Sequence, residues 1–256
     1  MSGPCFIVVV DDGKIYERWN VVYRIYGSGD DCPAAHVPVC EKGGGGRMIY
    51  SENILVCMAV PLLLTLFFVQ GNARQLVLNF LLGMATCLLG AYVSGFLDVA
   101  TGMGAEETAV FISPVTEEAM KFLPLLFYFL MFEPQDDRLF HAAVGIGAGF
   151  ASYENVCSMV SSGAESLGFL LIRGLAVGVM HIVSVFAMML GLVIARRFKA
   201  MRLASVIGAL SLSMLFHGMY NLLVSEPGIT SAIGYVVPMA TAVILLSVYR
   251  HLQSME

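Results

Sequence analysis

The chain has 256 residues, 58% of them hydrophobic and 13% charged, with a formal net charge of −5. Soluble domains carry about 25% charged residues; so few charges could not cover a water-exposed surface of this size, whereas a bilayer removes that need. The acidic balance excludes the basic footprint of a nucleic-acid binder.

Residues 1–47 read as a separate polar region. Residues 1–10 lack a basic n-region and Asp11 and Asp12 follow, so no secretory signal is expected and the first apolar run has to insert the chain itself. Phe6–Val10, a turn at Asp11-Asp12-Gly13, and Lys14–Tyr26 have the pattern of a β-hairpin. Cys32 and Cys40 are spaced for a disulfide if this region is outside the cell; Cys5, Cys32, His36 and Cys40 offer a zinc set if it is inside; unligated thiols are the plainer reading. Gly43–Gly46 is a flexible linker.

The remaining residues, 48–256, contain seven apolar runs near 53–70, 75–97, 108–132, 140–161, 166–195, 203–224 and 229–249, each near the roughly 20 residues that a membrane-spanning helix needs. The expected fold is therefore an all-α polytopic membrane protein of about seven transmembrane helices with a small hairpin-like N-terminal region. The connections at 71–74, 133–139 and 196–202 hold Arg74, Arg138, Arg196, Arg197, Lys199 and Arg202. Those at 98–107, 162–165 and 225–228 hold no Lys or Arg, only Asp98, Glu106, Glu107, Glu165 and Glu226. The positive-inside rule makes the first set cytoplasmic. The C-terminus is then expected inside the cell and the N-terminal region outside, in a multi-pass protein of the cell membrane.

Runs three to six contain Glu117, Glu118, Lys121, Glu154, Arg173, His181 and His217. A charge at bilayer depth costs roughly 2.5–3.5 kcal/mol on insertion scales, so such groups are expected to face one another in the bundle interior. At about 1.5 Å per residue, they and Asn221 fall in the outer half or near the midplane of four successive helices. Lys121 lies within one turn of both Glu117 and Glu118 and can pair with either; His217 and Asn221 are one turn apart. Ser113-Pro114 looks like a helix start, and Gly145, Gly147 and Gly149 allow close helix approach ahead of Glu154.

This residue set suits hydrolysis: a carboxylate to take a proton from water, imidazoles to position water or a metal, and an amide to stabilise an oxyanion. His and Glu are also ordinary zinc ligands. The zinc motif His-Glu-x-x-His is absent. Gly27-Ser28-Gly29-Asp30 matches an aspartyl motif only outside the apolar runs, and Tyr92-Val93-Ser94-Gly95 lacks the glycine of a serine site. A proton- or ion-coupled transporter would use the same buried acids, but no internal repeat accompanies them. An inactive scaffold would not need the full set.

At these residues the sequence resembles the PrsW family of intramembrane proteases, within the larger group that includes CAAX-processing and abortive-infection membrane proteases. Glu117-Glu118-Ala119-Met120-Lys121 stands for its Glu-Glu-x-x-Lys, Phe150-Ala151-Ser152-Tyr153-Glu154 for its Phe-x-x-x-Glu, Arg173 with His181 for its single-histidine run, and His217-Gly218-Met219-Tyr220-Asn221 for its His-x-x-x-Asn. The resemblance implies a glutamate-dependent membrane peptidase, with residues 48–256 as its domain. It also implies single-pass membrane-protein substrates, typically anti-sigma factors cut outside the membrane in stress signalling. The expected catalytic set is Glu117, Glu118, Glu154, His181, His217 and Asn221, with Lys121 and Arg173 balancing charge. CAAX-type members have histidine where this chain has Glu154. Zinc on His181, His217 and Glu154 and a metal-free glutamate mechanism therefore both stay open, as does a CAAX-type processing role.

Overall fold

The computed structural model describes residues 9–11, 14–16, 51–162, 167–225 and 228–254. Seven long helices follow in chain order: α1 (Ser51–Thr65), α2 (Gly71–Thr101), α3 (Ser113–Phe132), α4 (Asp136–Ser162), α5 (Leu167–Arg197), α6 (Arg202–Ser225) and α7 (Ile229–Gln253). Ahead of them two three-residue strands, Val9–Asp11 and Lys14–Tyr16, pair antiparallel. A hairpin over the full expected length is not evident, and Cys5, Cys32, His36 and Cys40 lie outside the described residues.

The seven runs correspond to the seven helices, but among the described residues four segments are long and apolar enough to cross a membrane: Gly71–Thr101, Leu170–Arg197, Lys199–Ser225 and Ile229–Gln253. The other three helices fall short for distinct reasons. The first, α1, has 15 residues. The third carries Glu117, Glu118 and Lys121. In α4 the apolar residues are interrupted by His141, three glycines, Tyr153, Glu154 and Asn155. The acidic residues of the predicted site, Glu117, Glu118 and Glu154, thus sit on the helices that fall short, whereas His181 and His217 sit on two that do not.

Burial places α5 at the centre: 72% of its apolar window is buried inside the protein, against 11% for α7. Val185, Met188, Met189, Leu192 and Val193 of α5 pack with Leu125 of α3, Leu139, Ala142 and Ile146 of α4 and Tyr249 of α7. Outward side chains such as Leu203, Leu215, Val236 and Val243 are exposed, as expected of surfaces that meet lipid rather than water.

Glycines let α4 sink between two neighbours. A Cβ on Gly149 would overlap the carbonyl of Phe80 on α2, and one on Gly147 would lie 2.7 Å from Ile182 Cα on α5. On α2, a Cβ at Gly83 would overlap the Ile146 carbonyl. Only residues without a side chain permit this approach, and it brings Glu154 beside α5.

The ends are tied by polar contacts. At one end Asp136 of α4 pairs with both Arg196 and Arg197 of α5, Arg196 Nη1 donates to Pro134 O at 2.6 Å, and Tyr249 Oη donates to Asp137 Oδ1 at 3.1 Å. At the other, α2 closes at Gly102, whose φ of 69° is the left-handed conformation glycine adopts cheaply. Asp98 Oδ1 then accepts from Gly104 N at 3.0 Å and Thr108 Oγ1 at 2.6 Å.

Candidate active site

α3 begins at Ser113 with Pro114 in its first turn, where the Ser113-Pro114 pair suggested a helix start, but Ser113 does not cap it. A π turn, Thr108–Ile112, runs directly into Ser113, and Ile112 is itself helical with no side-chain cap. The reason lies in backbone bonding. Ser113 N donates to Thr108 O, five residues back. The corresponding partner for Ala109 O is residue 114, a proline with no N–H. Asn221 Nδ2 of α6 supplies the missing donor at 2.9 Å. One-turn π bulges are frequent at functional sites, and this one lies one turn ahead of Glu117 and Glu118.

From there a chain of polar contacts joins four helices. Glu118 and Lys121 are fully buried. Glu118 Oε1 accepts from Lys121 Nζ at 2.6 Å and from His217 Nδ1 of α6 at 2.7 Å. Lys121 Nζ also donates to His181 Nδ1 of α5 at 2.8 Å, and His181 Nε2 meets Glu154 Oε2 of α4. On the other side of His217, Nε2 lies 3.8 Å from Glu117 Oε2. The order Glu154–His181–Lys121–Glu118–His217–Glu117 thus places six of the predicted residues in one cluster. Of the two carboxylates within reach of Lys121, it pairs with Glu118; Glu117 turns away.

Exposure distinguishes the two ends from the middle. The side chains of Glu154 and Glu117 are 33% and 17% exposed, while Glu118, Lys121 and His181 are at 0%. Glu117 Oε2 and Glu118 Oε2 are buried with no hydrogen-bond partner among the described residues. A buried acceptor left open is costly, so Glu117 Oε2, at the accessible end, is the atom positioned to receive a water or a cation. Arg173 is half-buried on α5 two turns before His181, and its charge acts on Glu154.

Four residues around the cluster were given no role by sequence. Ser184 Oγ donates to His181 O at 3.0 Å and lies 3.5 Å from Lys121 Nζ. Ser213 Oγ donates to Ser184 O at 2.9 Å, joining α6 to α5. Ser94 and Thr116 hydrogen-bond between α2 and α3. The signal for Ser184 was its position one turn from His181, on the same face. Phe150, noted only as a motif residue, has Lys121 Nζ 4.4 Å from its ring centre and His181 at 4.8 Å; the π face is a further partner for the buried cation.

The PrsW family of intramembrane metalloproteases matches residues 71–248. The chain belongs to this family. The PrsW match starts at the first residue of α2, so α1 and all that precedes it stand outside the shared region. No curated protein and no solved structure matches the chain.

A PrsW metalloprotease implies a metal, and the donors here fit one. Among the described residues, Glu117, His181 and His217 each offer a ligand atom, and these atoms lie within 4.8 Å of one another. Glu117 Oε2 has no partner to lose. Glu118 accepts the Nδ1–H of His217, which leaves Nε2 as a lone pair on the side of Glu117; a carboxylate behind a histidine is the usual backing of a metal-bound imidazole.

Proposed function

We propose that this intramembrane protease hydrolyses a peptide bond just outside the transmembrane helix of a single-pass membrane protein, with anti-sigma factors the substrate class that its motifs imply. The observation that carries the reading is the unpartnered Glu117 Oε2 at the accessible end of a buried charge network.

Glu117 is the general base: its free oxygen takes a proton from the attacking water. Glu118, fully buried and with Oε1 holding both Lys121 and His217, orients the imidazole and offsets the ammonium. Glu117 then returns that proton to the leaving amine, which balances the step; Glu154, the other accessible carboxylate, is held beside it by His181. Asn221 has two amide hydrogens; one is engaged by Ala109 O, and the second is available to an oxyanion. Were a divalent metal ion held by Glu117 and His217 instead, the Glu117 oxygen would act as ligand rather than base, and the ion would supply Lewis acidity and a more acidic bound water.

Position supports a cut on the outer side. Counted at about 1.5 Å per residue, Glu154 and His217 lie roughly 12 Å from the ends of α4 and α6 at Ser162 and Ser225. His181 lies roughly 24 Å from Arg197 at the opposite, arginine-bearing end. If that end is cytoplasmic, the site is in the outer half, and the N-terminal region is outside. A helical substrate keeps its carbonyls hydrogen-bonded, so the bond cut belongs to an extended segment beside the membrane. The test is cleavage of a single-pass reporter in vesicles by the wild type and Glu117→Gln. The variant keeps the shape of the residue and removes the base. We expect a loss of about 10²–10⁴-fold with an unchanged elution profile in detergent; near-normal turnover would remove Glu117 from this role.

A further inference from the structure

The two site histidines are both near Glu117, yet their hydrogen bonds differ. Lys121 Nζ, 2.8 Å from His181 Nδ1, is an ammonium, with three donors and no lone pair. His181 Nδ1 must therefore accept. In a neutral ring the proton then sits on Nε2, which faces Glu154 Oε2. Both nitrogens of His181 are engaged, one by a donor and one by an acceptor. His217 is arranged in the opposite sense. Its Nδ1 faces Glu118 Oε1 at 2.7 Å, an oxygen that can only accept there because it already receives Lys121. Nδ1 carries the proton, and the lone pair of Nε2 is left toward Glu117.

We infer that His181 is not a metal ligand but a positioning residue, held by Lys121 in the Nε2–H form so that it fixes the Glu154 carboxylate, while His217 alone supplies an imidazole lone pair to the reaction centre. The reach of Lys121 to both Glu118 and His181 makes it the group that sets the two rings apart. Phe150, whose ring centre lies 4.8 Å from that of His181, limits the freedom of the imidazole to turn and reverse the assignment. The inference rests on hydrogen-bond directions and shares with the proposed function only the identity of the site.

The test is the tautomer itself. In full-length protein with His36, His141 and His251 replaced by Gln, only His181 and His217 remain, and two-bond proton–nitrogen correlations in ¹⁵N-histidine-labelled protein report each ring. We expect one Nε2–H ring and one Nδ1–H ring, the first lost in His181→Gln and the second in His217→Gln, so either variant suffices if the other does not fold. Zinc added to the sample should shift only the Nδ1–H ring. Two Nδ1–H rings, a doubly protonated His181, or zinc shifts at both rings would overturn the inference. Opposite tautomers with no zinc shift at either ring would uphold it and count instead against the metal reading. In the cleavage assay, His181→Gln, whose amide can still donate to Glu154, should retain about tenfold more activity than His181→Ala, in line with the cost of losing a supporting hydrogen bond. Equal loss in both would count against a positioning role.

Discussion

Glu118 and Lys121 are both fully buried and 2.6 Å apart, and each has a second partner, His217 or His181. Breaking a buried pair by removing one member leaves the other charge uncompensated. Lys121→Met should therefore lower stability by about 3–5 kcal/mol, read as a large fall in the thermal midpoint in detergent. A Lys121→Met protein as stable as wild type would mean that the pair is not what compensates Glu118. Much of this cluster was legible in the sequence, because a charge in an apolar run has few cheap explanations, and Glu117, Glu118, Glu154, His181 and His217 all come together. The choice of Lys121 between the two adjacent carboxylates was not legible. Spacings of three and four residues are equivalent on paper, and the choice depends on His217 and His181 arriving from other helices. Ser184 and Ser213 were not legible because a serine in a span so often bonds only its own helix, as Ser213 also does with Ala209 O.

Among the elements, the π turn at Thr108–Ile112 was not legible in the sequence. Ser113-Pro114 does mark the start of the α-helix, yet helical backbone continues upstream of it because Asn221 satisfies the carbonyl that the proline cannot. Asn221→Leu should thus cost about 1–3 kcal/mol for the orphaned Ala109 carbonyl and also slow cleavage, since Glu117 lies just beyond the turn. If Asn221→Leu lost activity at unchanged stability, the amide would serve chemistry alone. The glycines of α4 behaved as the sequence suggested. With a valine in place of Gly149, the Phe80 carbonyl would have to move. Gly149→Val should cost at least the roughly 1–3 kcal/mol of an overpacked core and displace Glu154 from His181, measured as loss of both thermal stability and cleavage.

For the whole molecule, seven apolar runs were readable because each helix faces lipid or the bundle with few charges. That only four segments among the described residues have full span character reflects where the carboxylates lie: α3 and α4 carry Glu117, Glu118 and Glu154, which lower their own hydropathy, while α5 and α6 bring His181 and His217 on strongly apolar helices. The paired strands at Val9–Asp11 and Lys14–Tyr16 precede the PrsW match and α1, so deleting residues 1–47 should leave the site cluster assembled, tested by comparing thermal unfolding of the truncated and full chains. The central claim is that Glu117 cuts a membrane protein beside the outer leaflet. The most direct measurement is mass-spectrometric mapping of product termini from a single-pass substrate incubated with wild type and with Glu117→Gln. The account predicts new termini within a few residues of the outer end of the substrate helix, present with wild type and absent with the variant. Termini on the cytoplasmic side, or the same termini from Glu117→Gln, would contradict it.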